Sequence, residues 1–154
     1  MSLDLITPVN DVFRRDIEMA DPTLLDPTVS NSLVQGEWIS RDTAGKGVRV
    51  TSLTEKLPMQ VFTQKGDFTS QAIGKVTVIQ LHAYEADTDM FDSAGVYVAG
   101  ATELAVDDFA IDGITRSALK VAVSGNVVHA VCTRAPADNG GKLRFQKVSP
   151  YVKP

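Results

Sequence analysis

From residue 35 onward, apolar and polar side chains alternate in short runs separated by glycine and polar turns, the period-two signature of half-buried strands. Val48-Arg49-Val50-Thr51 reads as one strand, following a loop that ends in Gly45-Lys46-Gly47. Met59-Gln60-Val61-Phe62-Thr63 reads as another, closed by Lys65-Gly66-Asp67. The longest candidate covers residues 75–84. Val76 and Val78 share one face there, whereas Ile79, Leu81 and Ala83 are out of phase, which predicts a β-bulge near Val78-Ile79. A short helical or turn segment is expected over 88–94.

The sharpest local pattern lies near the C-terminus. Leu119, Val121 and Val123 alternate with Lys120 and Ala122, and Gly125-Asn126 then offers a two-residue turn. That hairpin would set Val123 opposite Val128, Val121 opposite Ala130 and Leu119 opposite Cys132 on one buried face, with His129 on the other. A last strand over 143–147 would turn Leu143 and Phe145 inward. The expectation is an all-β (mainly β) domain, a small β-barrel or sandwich of short antiparallel strands. Composition agrees: 19 Val, 7 Ile and 13 Thr make up a quarter of the 154 residues against 11 Leu, and such β-branched side chains suit a pleated surface better than a helix.

Residues 1–34 follow a different pattern. Pro8, Pro22 and Pro27 interrupt them and no glycine occurs. Phe13, Ile17 and Ala20 are spaced to share a helical face, so one short helix over 11–20 is expected, capped by Asn10 and ended by Asp21-Pro22. The segment holds too many large apolar residues for a solvated tail. It reads as an N-terminal extended arm (1–34) ahead of a β-barrel domain (35–154), lying on a partner or across its own domain. Val12, Phe13, Ile17, Leu24 and Leu25 are the candidate partner-binding anchors.

Charge sharpens the picture. The net charge of −4 resides entirely in residues 1–34, with two basic and six acidic side chains. Residues 85–112 carry eight acidic and no basic residues, and 113–154 carry seven basic against one acidic. Either the two segments pair within a sheet, or they form a two-signed surface for docking.

Candidate chemistry is sparse. Glu85, Asp87, Asp89 and Asp92 resemble the start of a calcium loop, but the sixth position from Asp87 is Asp92, not Gly, and the twelfth is Val98, not Glu. The two histidines, His82 and His129, have no near neighbour of ligand type, and the one cysteine, Cys132, falls on an apolar face. Asp107-Asp108 reads as a solvated turn. No metal site, cofactor or catalytic set is expected. Ten scattered aromatics and an acidic balance argue against direct nucleic-acid binding. No apolar run approaches the ~18–20 residues of a membrane span, and the opening residues lack the pattern of a secretory signal.

The series Gln35-Gly36-Glu37-Trp38, Lys65-Gly66-Asp67 with Ala72-Ile73-Gly74-Lys75-Val76-Thr77-Val78, Tyr84-Glu85-Ala86-Asp87-Thr88, Tyr97-Val98-Ala99-Gly100-Ala101 and Gly141-Lys142-Leu143-Arg144-Phe145 resembles the head decoration (cement) proteins of tailed bacteriophages. The likeness covers roughly residues 35–148 and carries no catalytic signature. It implies a structural, non-enzymatic virion protein on the outer capsid surface, assembled in the host cytoplasm. The implied partners are the major capsid protein and further copies of the chain, as a homodimer or homotrimer. Another virion component, such as a tail or connector subunit, and a small ligand-binding β-barrel are the alternatives.

Overall fold

The computed structural model describes residues 2–8, 14–62, 74–79 and 83–154. The strands are β1 (Leu3–Leu5), β2 (Arg14–Glu18), β3 (Trp38–Arg41), β4 (Gly47–Arg49), β5 (Met59–Val61), β6 (Lys75–Ile79), β7 (Glu85–Thr88), β8 (Glu103–Ile111), β9 (Ile114–Val121), β10 (Val127–Arg134) and β11 (Leu143–Val152). They form two antiparallel sheets, ordered β1-β7-β11-β10-β8-β9 and β2-β6-β5-β3-β4. The architecture is mainly β and sandwich-like, with no closed barrel. The second sheet curls until Met19, just past β2, bridges Gly47 of β4. A Cβ on Gly47 would lie 2.6 Å from Met19 Sδ, so this close approach requires glycine.

Core side chains form two main layers. Between the sheets, Phe145 packs edge-on to Tyr84 (centroids 5.9 Å apart, planes at 75°) and against Trp38 (6.3 Å). Leu104, Leu119, Cys132, Leu143 and Ile79 fill the space around them. On the other face of the five-stranded sheet, Ile17, Met19, Ile39, Met59, Val61, Val76 and Val78 are covered by Leu25 and Leu33. This sheet is therefore buried on both sides. That double burial explains residues 75–79, where no bulge occurs at Val78-Ile79. Val78 pairs with Arg15 and Val61, and Ile79 with Arg14 and Gln60, in regular register. Val78 enters the outer core and Ile79 the inner one. Residues 80–82 lie outside the described residues.

The described residues of the 1–34 segment are built into both sheets. β1 pairs with β7 and β2 with β6, while a 3-10 turn at Pro22–Leu25, capped by Asp21, lays Leu25 over the outer face. The helix expected over 11–20 gives way to strand across residues 14–18. Ile17 and Met19 match a period of two as well as Phe13 and Ile17 match a helical one, and the edge of β6 supplies backbone partners that an isolated short helix lacks. Its cap, Asn10, lies outside the described residues.

The C-terminal hairpin is also corrected. Leu119 pairs with Val106 and Val121 with Leu104, both on β8; Leu104 also pairs with Ala130, so β8 separates β9 from β10. The tight hairpin turn is Asp112-Gly113, with φ of 52° and 78°. Two positive φ values in a two-residue loop match the twist of the flanking strands, and Asp-Gly adopts them readily. Asp107 and Asp108 consequently sit within β8, not in a turn.

A buried ion cluster ties the covering segment to both sheets. Glu37 is fully buried. Its carboxylate accepts from the Val34 backbone N–H at 3.0 Å, from Arg116 Nη1 at 2.5 Å and from Arg49 Nε at 2.8 Å. The same arginines donate to the backbone carbonyls of Ser32 and Asn31. Arg49 ends β4 in the five-stranded sheet and Arg116 belongs to β9, so both sheets meet the covering segment at one carboxylate.

Candidate functional site

The described residues singled out for chemistry are held by hydrogen bonds or burial. Asp87 accepts two hydrogen bonds from the Arg144 guanidinium, at 2.8 and 2.9 Å, which hold its carboxyl below the ordinary carboxylate range. Glu85 accepts from Thr133, Asp89 from the Ser2 N–H and Asp92 from the Ala94 N–H. Among the described residues no three His, Cys, Asp or Glu side chains gather where a metal could sit. Cys132 is buried in the inner core, and burial pushes its thiol pKa up. His129 is buried and its Nε2–H donates to the Glu55 carbonyl at 2.7 Å. His82 lies outside the described residues.

The segregated charges meet one another. Arg144 pairs with Asp87, Lys120 with Asp107 at 3.6 Å, and Lys153 with Glu103 at 3.3 Å; Lys142 also meets Asp4 of the arm. Each pair bridges adjacent or near strands of the six-stranded sheet. The acidic and basic segments thus neutralise each other within the fold, and much of the two-signed pattern is internal.

Of the proposed anchors, Ile17 and Leu25 are buried in the outer core and Leu24 packs against it. Val12 and Phe13 lie outside the described residues. The described anchors pack on the chain's own sheet.

Four exposed valines lie on loops and strand ends of the six-stranded sheet. Val96 is 79% exposed, Val98 54%, Val123 60% and Val152 63%. Residues 92–102, which carry the first two, are firmly held. The Asp92 N–H donates to the Leu119 carbonyl, the Gly100 N–H to that of Cys132, and the Val98 N–H to Thr102 Oγ1. Tyr97 donates its hydroxyl to the Asp92 carbonyl at 2.5 Å and stands edge-on to Phe91; burial raises its pKa. A Cβ on Gly95 would lie 2.9 Å from Val121, so glycine lets this loop press onto β9. Backbone hydrogen bonds between Asn126 and Lys153 and between Gly125 and Lys153 place the Val123 turn beside the Val152 strand end. At its margin Tyr151 hydrogen-bonds Glu103, holding that carboxyl below its ordinary range.

Sequence reasoning missed this surface because Val123 was assigned to a buried hairpin face, and nothing in an isolated valine signals exposure. Such an arrangement can bind an apolar protein surface but activates no bond. No protein-family model, curated protein or solved structure matches this chain.

Proposed function

We propose that this chain is a structural virion protein that binds the outer surface of an icosahedral phage capsid, through the major capsid protein, and stabilises the expanded shell. The observation that carries this reading is the set of exposed valines, Val96, Val98, Val123 and Val152, on hydrogen-bonded loops and strand ends. Exposed large apolar side chains that cluster mark protein contact surfaces, and a loop already fixed by hydrogen bonds loses little entropy when it docks. The sequence resemblance to head decoration proteins supplies the identity of the partner. A protein that binds only the expanded lattice stabilises it by its own binding free energy, and many repeated weak sites sum to a large effect. Self-association as a homodimer or homotrimer belongs to the same proposal.

Purified protein mixed with expanded phage shells stripped of decoration is expected to co-sediment with saturable occupancy. A variant carrying Val96→Asp and Val123→Asp is expected to lose that binding at an unchanged melting temperature, because both positions are exposed. Full occupancy by this variant would remove the exposed valines as the docking face. Ring assembly without shell binding would move the protein to a tail or connector role.

A further inference from the structure

A second surface feature bears no relation to shell binding. Where β5, β6 and β11 come together, the structure opens a cleft of about 390 Å³, within the size range of small-molecule sites. Its walls are largely apolar, with Leu57, Met59, Ile79 and Val148 among the lining side chains. The opening has a cause in β11. Val128 pairs with Tyr151 but Ala130 with Lys147, so residues 148–150 bulge opposite the single residue His129. Bulges of this kind re-aim side chains and commonly adjoin functional sites. Pro150 in the bulge and Pro58 before β5 also lack an N–H, so neither can donate a backbone hydrogen bond across the cleft.

The charged groups of the cleft are unequally satisfied. Glu55 turns its carboxylate to the N–H groups of Lys56 and Leu57, at 2.9 and 3.1 Å. Among the described residues the Lys147 ammonium has one hydrogen bond, to the Val148 carbonyl at 3.2 Å. Among the described residues it forms no ion pair, and neither does Arg41 at the end of β3. Burial moves the Lys147 pKa down to about 8, the direction expected of a desolvated ammonium without an anionic partner. His129 stands behind, electrically neutral with its Nδ1 unpartnered.

We propose that this cleft binds a small amphipathic anion, its carboxylate or phosphate head on Lys147 and Arg41 and its apolar body against Leu57, Met59, Ile79 and Val148. The head supplies the counter-charge that Lys147 lacks, and the body covers Leu57, which is 71% exposed, and reaches the edges of the buried Met59 and Ile79.

Calorimetric titration of the full chain with octanoate, octyl phosphate and 1-octanol tests the proposal. At least one anion is expected to bind with one-to-one stoichiometry, about tenfold or more tighter than octanol, since a charge-assisted hydrogen bond is lost in the neutral compound. The tighter of the two anions identifies the head group. Lys147→Met is expected to weaken the anion about tenfold while leaving octanol unchanged. Leu57→Asp, at an exposed position, places a repelling charge at the cleft and is expected to weaken the anion without altering the fold. Equal affinity for octanol and both anions, parental affinity in both variants, or no saturable binding by about 10 mM would overturn it.

Discussion

Two pairs of cations sit in very different company. Arg49 and Arg116 converge on buried Glu37 and on backbone carbonyls, so the attached segments are locked together. Lys147 and Arg41 border an open cleft and form no ion pair among the described residues, the Glu55 carboxylate beside them being turned to backbone N–H groups. A buried charge without its partner is costly, because desolvation is then uncompensated. The first pair has that partner within the chain and is structural; the second lacks one and is available to a ligand.

The largest expected effect tests the closed cluster. Glu37→Ala leaves two arginines without their anion and is expected to lower unfolding free energy by about 3–5 kcal/mol in urea titrations. A loss below about 1 kcal/mol would mean that the cluster does not hold residues 31–34 in place.

Next comes pH, which probes the histidine behind the open cleft. The folded chain holds His129 with a pKa of about 4 against an ordinary 6.5. Below pH 6.5 the unfolded chain takes up a proton that the folded chain refuses, so stability falls from pH 6.5 to about 4 and this contribution is then flat. The loss is expected to be roughly 2–3 kcal/mol, and His129→Gln should remove that slope. An identical pH profile in the variant would show that the ring is solvated.

Lys147→Met sharpens the contrast through its sign. Removing an unpaired, partly desolvated ammonium is expected to raise stability at pH 7 by about 1–3 kcal/mol. Parental Lys147 itself contributes a rise in stability between pH 8 and 10.5 as the ammonium deprotonates, and the variant should lack it. Arg116→Met, the same chemical change in the closed cluster, should destabilise strongly; equal effects at the two sites would erase the distinction. The smallest effect belongs to the sheet surface, where Arg144→Gln is expected to cost no more than about 1 kcal/mol despite the good geometry to Asp87.

The sequence made the β class legible because period-two alternation and β-branched content both follow from strand geometry. β4, β5 and β11 begin within a residue of their expected starts for that reason. Partner choice was harder to read. Gly125-Asn126 reads as a hairpin turn, whereas the chain turns tightly at Asp112-Gly113, a dipeptide suited to a two-residue loop. The apparent phase break at Ile79 was a sheet buried on two sides, which local alternation cannot distinguish from a bulge. The cleft was illegible for a related reason: Arg41, Leu57, Ile79 and Lys147 are brought together only by sheet packing, and no short motif connects them.

The placement of the N-terminal strands also constrains when the chain can fold. Leu3 pairs with Thr88 and Ile17 with Val76, so neither early strand has its partner until dozens of further residues have been synthesised. Such distant pairing slows folding, because chain entropy is lost before the contacts form. On the ribosome, residues 1–34 therefore wait as an apolar, proline-broken segment, and the interval before β6 and β7 emerge is when this protein is most open to capture by chaperones or by other nascent copies of itself.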